Sequence, residues 1–312
     1  MLVGYAALML AALAVPFIGL YPVLIMKILC FAIFACAFNL LFGYTGLLSF
    51  GHAAFFGTAA YATGWIVRAL NVTPEVGILF GILIAAALGL VVGTIAIRRQ
   101  GIYFAMITLA LAQMVYFACL QVPFTHGEDG LQGVPRGLLV GVLPLESDVT
   151  MYYFVLAVFI AVFVLIRRIV HSPYGQVLKA IRENEPRAIS LGYDVDRYKL
   201  LAFVLSSALA GLAGSLKTLV LGFATLSDVH WSMSGEVILM TLLGGLGTFL
   251  GPALGAGIVI SLQDGLADRV GSWVTVIIGV IFVVCVLLFR RGIVGEFVAY
   301  RARRSAKVRS QP

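Results

Sequence analysis

Residues 171 to 199 read HSPYGQVLKAIRENEPRAISLGYDVDRYK, a hydrophilic run inside a chain that is otherwise almost continuously apolar. Arg182, Glu183 and Glu185 offer charged contacts, and Tyr174, Val177 and Ile181 offer an apolar edge, the mixture that protein interfaces use. Ser172 can cap a helix that begins at Pro173, and a second short helix can start at Pro186 and stop at Gly192. The chemistry expected of this run is docking of another protein. A solvated basic loop that only fixes topology is the plainer alternative.

Other polar residues are scattered through apolar segments. Asn39 lies in one, Ser49, His52 and Thr58 in the next, and Thr108 and Gln113 in another. Each either bonds helices together or lines a path for a polar solute. Glu236 is expected near an outer loop where it stays wet, and Lys217 to snorkel to the same surface. Intramembrane catalysis would need Asp, Glu, His or Cys in catalytic or ligand groupings, and the sequence shows none. The four cysteines, Cys30, Cys36, Cys119 and Cys285, lack metal or disulfide spacing and read as small core hydrophobes. Gly214 to Thr218, GSLKT, lacks the glycine and the preceding strand of a phosphate-binding loop. No metal and no cofactor are expected.

The elements that hold these residues follow from composition. With 62% hydrophobic and 11% charged residues, the chain falls in the polytopic membrane class. A span takes about 20 apolar residues, which predicts spans near 4–21, 23–42, 47–67, 75–97, 102–122, 151–169, 198–222 and 272–289. A cleavable leader pattern is absent, so insertion in signal-anchor style is expected. Gly46, Gly51, Gly57 and Gly64, with interspersed alanines, should let one span pack closely on its neighbours.

Seven basic residues lie between Arg167 and Lys199, seven more between Arg290 and Arg309, and Arg98 and Arg99 separate two spans. These regions should face the cytoplasm. The 121–150 loop, with Glu128, Asp129, Glu146 and Asp148 against Arg136, should face outside. The net charge of +7 therefore reflects topology rather than nucleic-acid binding. Parity then requires an even number of crossings between Lys199 and the last span. That makes 235–262 a hairpin of two short or re-entrant helices, broken at Gly244, Gly245, Gly247, Gly251 and Pro252. The expectation is an all-α polytopic membrane protein of about ten crossings with both termini inside. The whole of 1–312 would form one transmembrane domain, with a cytoplasmic loop at 171–197 and a basic cytoplasmic tail at 290–312. LSFGHAAFFG at 48–57 and LSDVHWSMSG at 226–235 share four residues, which suggests an inverted repeat.

Four blocks in order carry a resemblance: GYTGLLSFGHAAFFGTAAYATG, GIYFAMITLALAQMVYF with THGEDGLQGVP, the SPYGQVLKAIRENEPRAISLGYDVDRYKLLAF run, and MSGEVILMTLLGGLGTFLGPALGA. They resemble the M-type membrane-permease subunit of branched-chain amino-acid ABC importers. The resemblance implies half of a transport pathway in a bacterial inner membrane. The expected partners are a second homologous permease, two cytoplasmic ATP-binding subunits and a periplasmic substrate-binding protein, with ATP hydrolysed by the partners. It further implies that Tyr174, Gly175, Val177, Lys179, Ile181, Arg182, Glu183, Asn184 and Glu185 seat in a groove of an ATPase. Leucine, isoleucine or valine is the expected substrate, with urea, short amides or other amino acids as the neighbouring possibilities. A passive channel is the rival from another class.

Overall fold

Proline and glycine punctuate the helices where the sequence reading expects breaks. In the computed structural model, which describes residues 21–139, 141, 143–288 and 292–296, helix α1 runs Pro22–Thr45, with proline at its first turn and a left-handed Gly46 (φ 79°) at its end. Helices α2 (His52–Leu70), α3 (Pro74–Ala96), α4 (Ile102–Gln121) and α5 (Asp148–His171) follow. The short helices α6 (Pro173–Glu183) and α7 (Glu185–Ser190) lead into α8 (Val195–Leu221). Helices α9 (Trp231–Gly244), α10 (Gly251–Val270) and α11 (Val274–Leu288) follow. The span expected at 4–21 and nearly all of the basic tail lie outside the described residues.

Among the described residues, five helices, α1, α3, α4, α5 and α8, are long and apolar enough to cross a membrane. The bundle centres on α1 and α8. The face of α8 packs on α1, α2 and α3, while α1 also meets α5, α9 and α10. Small residues let these helices approach: a side chain at Gly211 would strike Ala85, and one at Gly214 would strike the Phe56 backbone. Thr63 Oγ1 donates to Gly77 O at 3.0 Å, fastening α2 to α3. Among the described residues, two tiny antiparallel pairings supplement the helices. Strand β1 (Leu131–Gln132) pairs with β4 (Phe223–Ala224), and β2 (Leu138–Leu139) with β3 (Leu143–Pro144).

The structure differs from the sequence expectation in two elements. Helix α2 begins only at His52, and residues 46–51 approach it as non-helical chain in which Leu47, Ser49 and Gly51 are buried. His52 Nε2 reaches Ser206 Oγ at 2.9 Å, midway along α8, so α2 starts inside the bundle. The glycine-broken hairpin is real but uneven. Helix α9 has 14 residues, about 21 Å, whereas α10 has 20, about 30 Å. Gln263, Asp264, Asp268 and Arg269 hid that length, because a hydropathy reading stops at them although the backbone does not. The two similar segments each precede a helix, 48–51 as non-helical chain and 226–228 as a short turn. Each leads into a helix with its histidine at the start, and they meet where Ala53 N donates to Ser234 Oγ at 2.9 Å.

Candidate functional site

The hydrophilic run folds as two capped helices. Ser172 Oγ accepts from the Gly175 amide at 3.3 Å, and Asn184 Oδ1 accepts from the Arg187 amide at 3.1 Å, which fixes the starts of α6 and α7. Asp194 Oδ1 does the same for α8, accepting from Arg197 N at 3.3 Å. Gly175 has to be glycine, since a Cβ there would run into the Ile169 and Val170 carbonyls of α5. Ile181, Ala188 and Val195 form a small core of their own, with Val177 and Tyr198 against it.

The side chains expected to touch a partner divide into two sets. Glu185 Oε1 accepts from Lys199 Nζ at 2.6 Å and from Gln100 Nε2 at 2.8 Å, so it ties α7 to α8 and to the turn between α3 and α4. Tyr174 stacks on Tyr198 with centroids 5.6 Å apart and donates from its hydroxyl to the Tyr198 carbonyl at 3.1 Å. Burial, and secondarily Tyr198, pushes its phenol above the ordinary range, so it stays a donor at physiological pH. Val177 and Ile181 face the internal core. Lys179 Nζ lies 5.9 Å over the Tyr44 ring. Glu183 and Asn184 remain exposed. Ile189, Leu191 and Tyr193, which the sequence reading passed over, are 56%, 69% and 40% exposed and form the apolar outer edge of this unit. Their cue was two apolar residues beside a glycine within a charged loop.

Arg182 links this unit to the bundle. Its guanidinium donates to the Gly43 carbonyl at the end of α1 and stands against Gly247 in the α9–α10 turn. Asn39 holds that turn from the other side: its Nδ2 donates to Thr248 O at 3.0 Å, and its Oδ1 accepts from Gly247 N at 2.9 Å. Gly247 has φ 70° and Gly245 has φ 119°. Helices α9 and α10 cross at glycine, since a Cβ on Gly244 would strike the Gly251 carbonyl. Pro252 follows in the first turn of α10. Thus Gly247, one of the expected gating residues, lies against Arg182 of α6.

Three more candidate pathway residues meet at the other break. Thr108 Oγ1 accepts from Phe50 N at 3.2 Å, and Ser49 Oγ from Gly51 N at 3.2 Å. Ser206 Oγ donates to Ala37 O at 2.6 Å, so it accepts from His52 and that imidazole carries its proton on Nε2. Ser206 and Ser234 were missed, because a serine inside an apolar helix gives no sequence sign of its partner. Five of the six candidates, Asn39, Ser49, His52, Thr108 and Thr58, thus hydrogen-bond within the fold, Thr58 to its own helix through Ala54 O at 2.6 Å. Thr58 also lines a cavity of about 330 Å³ with Tyr61, Trp65, Phe80, Cys119 and Phe124. Gln113 lies half-buried on α4, apart from the rest.

One charged residue behaves differently from expectation. Lys217 is buried rather than snorkelling: its Nζ bonds Asp228 Oδ2 at 2.7 Å, and the Thr225 amide closes on the same oxygen at 2.9 Å. The turn over 225–228 folds back onto α8 and carries the counter-charge inward. Glu236 is half-buried and accepts from Gln263 Nε2 at 3.2 Å.

Comparison with known proteins adds three relatives and a family. A family described as "Branched-chain amino acid transport system / permease component" matches residues 21–286. The high-affinity branched-chain amino acid transport system permease protein LivM of Salmonella typhimurium is 26% identical, covering 84% of this chain and 68% of its own. The probable LivM of Methanocaldococcus jannaschii is 28% identical over 72% of this chain and 74% of its own. LivH of Salmonella typhimurium is 25% identical over 85% of this chain and 91% of its own. No solved structure matches.

Proposed function

The chain belongs to the branched-chain amino acid transport permease family, as an M-type subunit, and from that premise we propose that it forms half of an ATP-driven import pathway for leucine, isoleucine and valine. The other half is a second, homologous permease. Two cytoplasmic ATPases supply the energy, and a periplasmic binding protein delivers the substrate. The chain lies in a bacterial inner membrane with about ten crossings, counting one at 4–21, and with both termini cytoplasmic. The 171–197 unit is its cytoplasmic coupling element, and the tail at 290–312 anchors the topology.

The observation that carries this reading is the contact chain from α6 into the bundle: Arg182 to Gly43, and Asn39 to Gly247 and Thr248. A helix that only marked topology would have no need to grip a glycine turn between two membrane helices. Motion of docked ATPases would enter through α6 and α7 and reach the α9–α10 hairpin, the gating element, without a flexible step between. The surface that meets the ATPase is the exposed edge of Ile189, Leu191 and Tyr193 with Glu183 beside it, while Arg182 and Glu185 transmit from behind.

Co-purification from the native host in mild detergent tests this. Two ATPases and a second permease should accompany the wild-type chain, and the paired change Ile189→Asp with Leu191→Asp should release the ATPases while retaining the permease. Purification of the chain alone in both cases would return a channel to consideration.

A further inference from the structure

Four polar side chains converge where α1, α9 and α10 meet, far from α6. Lys27 Nζ stands 3.7 Å from Asp264 Oδ1, and Gln263 Nε2 donates to Glu236 Oε2 at 3.2 Å. Measured along α10 from Gly251, Gln263 is about 18 Å up the helix. Lys27 and Glu236 each lie about 8 Å along α1 and α9 from their starts, so the group sits one to two turns inside the helix ends.

The Lys217–Asp228 pair shows what a structural charge pair looks like in this fold. Its side chains are 6% and 4% exposed, it closes at 2.7 Å, and Thr225 takes up the carboxylate. Lys27 and Asp264 keep 29% and 49% of their side chains exposed and stand too far apart to share a hydrogen bond. Residues 1–20 contain no charged side chain, so the segment before α1 brings no counter-charge to Lys27. Charges left open at this depth persist where water or a polar solute reaches them. The alternation of one cation between two carboxylates matches a zwitterion, which brings both signs at once.

We propose that Lys27, Glu236 and Asp264 bind the backbone charges of the transported amino acid, Lys27 taking the α-carboxylate and the two acids taking the α-ammonium. Gln263 orients Glu236 through its amide. The site rests on the reading of this chain as an amino-acid permease and assigns where that substrate is held.

The test uses the complete importer in proteoliposomes, with radiolabelled leucine and leucinamide, which lacks the carboxylate. Lys27→Met should cut leucine uptake about tenfold or more while the complex is recovered intact. It should also raise leucinamide uptake relative to leucine, and Lys27→Arg should restore leucine uptake in part. An intact Lys27→Met complex that carries leucine like wild type, or loses both solutes in the same proportion, overturns the site. Should Lys27→Met fail to assemble, Asp264→Cys decides: leucine that slows its reaction with a water-soluble thiol reagent supports the site, and an unaffected rate overturns it. A wild-type importer that carries no α-amino acid overturns the substrate reading, an outcome distinct from a leucine importer indifferent to Lys27.

Discussion

Arg182 lies on the element that reads as a docking helix, yet its guanidinium is spent on the Gly43 carbonyl and the Gly247 turn. We therefore expect Arg182→Ala to leave the ATPases bound and hydrolysing while leucine uptake in proteoliposomes falls about tenfold, the size of a charged hydrogen bond lost. Unchanged uptake would remove Arg182 from the coupling path. The buried pair supports a second expectation. Asp228→Asn leaves Lys217 as a lone buried cation, at a cost of about 3–5 kcal/mol. The thermal unfolding midpoint in detergent should drop clearly, and Lys217→Met added to it should recover most of the loss. These roles were only partly legible. The charge and polarity of Arg182, Asn39 and His52 marked them as candidates, but their partners lie more than 130 residues away in the chain. No local pattern encodes such distances.

The elements divide in a similar way. Caps at Ser172, prolines at Pro22 and Pro74, and the left-handed Gly46 and Gly222 put most helix ends where composition suggested. The uneven hairpin and the delayed start of α2 were not visible. A hydropathy ruler measures side chains, whereas breaks in the backbone survive only if distant hydroxyls and amides satisfy them. The hairpin also refines what its glycines do. Because a methyl at Gly244 would meet the Gly251 carbonyl, Gly244→Ala should reduce the yield of folded protein and not uptake alone. Gly245, at φ 119°, disfavours any side chain for conformational reasons. Normal yield for Gly244→Ala by size-exclusion chromatography would contradict the close crossing of α9 and α10.

For the whole molecule the decisive question is which end faces which side. The coupling unit and the 121–150 loop should lie on opposite faces. A membrane-impermeant thiol reagent added to intact cells should label Glu128→Cys and spare Leu191→Cys, both positions being exposed. Labelling of Leu191→Cys from outside would reverse the orientation and remove the docking role. The sequence by itself determined that this is a helical membrane protein, where its spans and basic loops fall, and which family its ordered blocks belong to. Those properties are sums over local composition and adjacent residues. Only the tertiary structure decided that Arg182 of α6 meets the glycine turn, that Asn39, Ser49 and Thr108 satisfy backbone amides at the helix breaks, and that Lys27 and Asp264 keep part of their side chains exposed. In lipid, a polar group's role is set by whatever partner the fold brings within about 3 Å, and that partner is fixed by packing rather than by position along the chain.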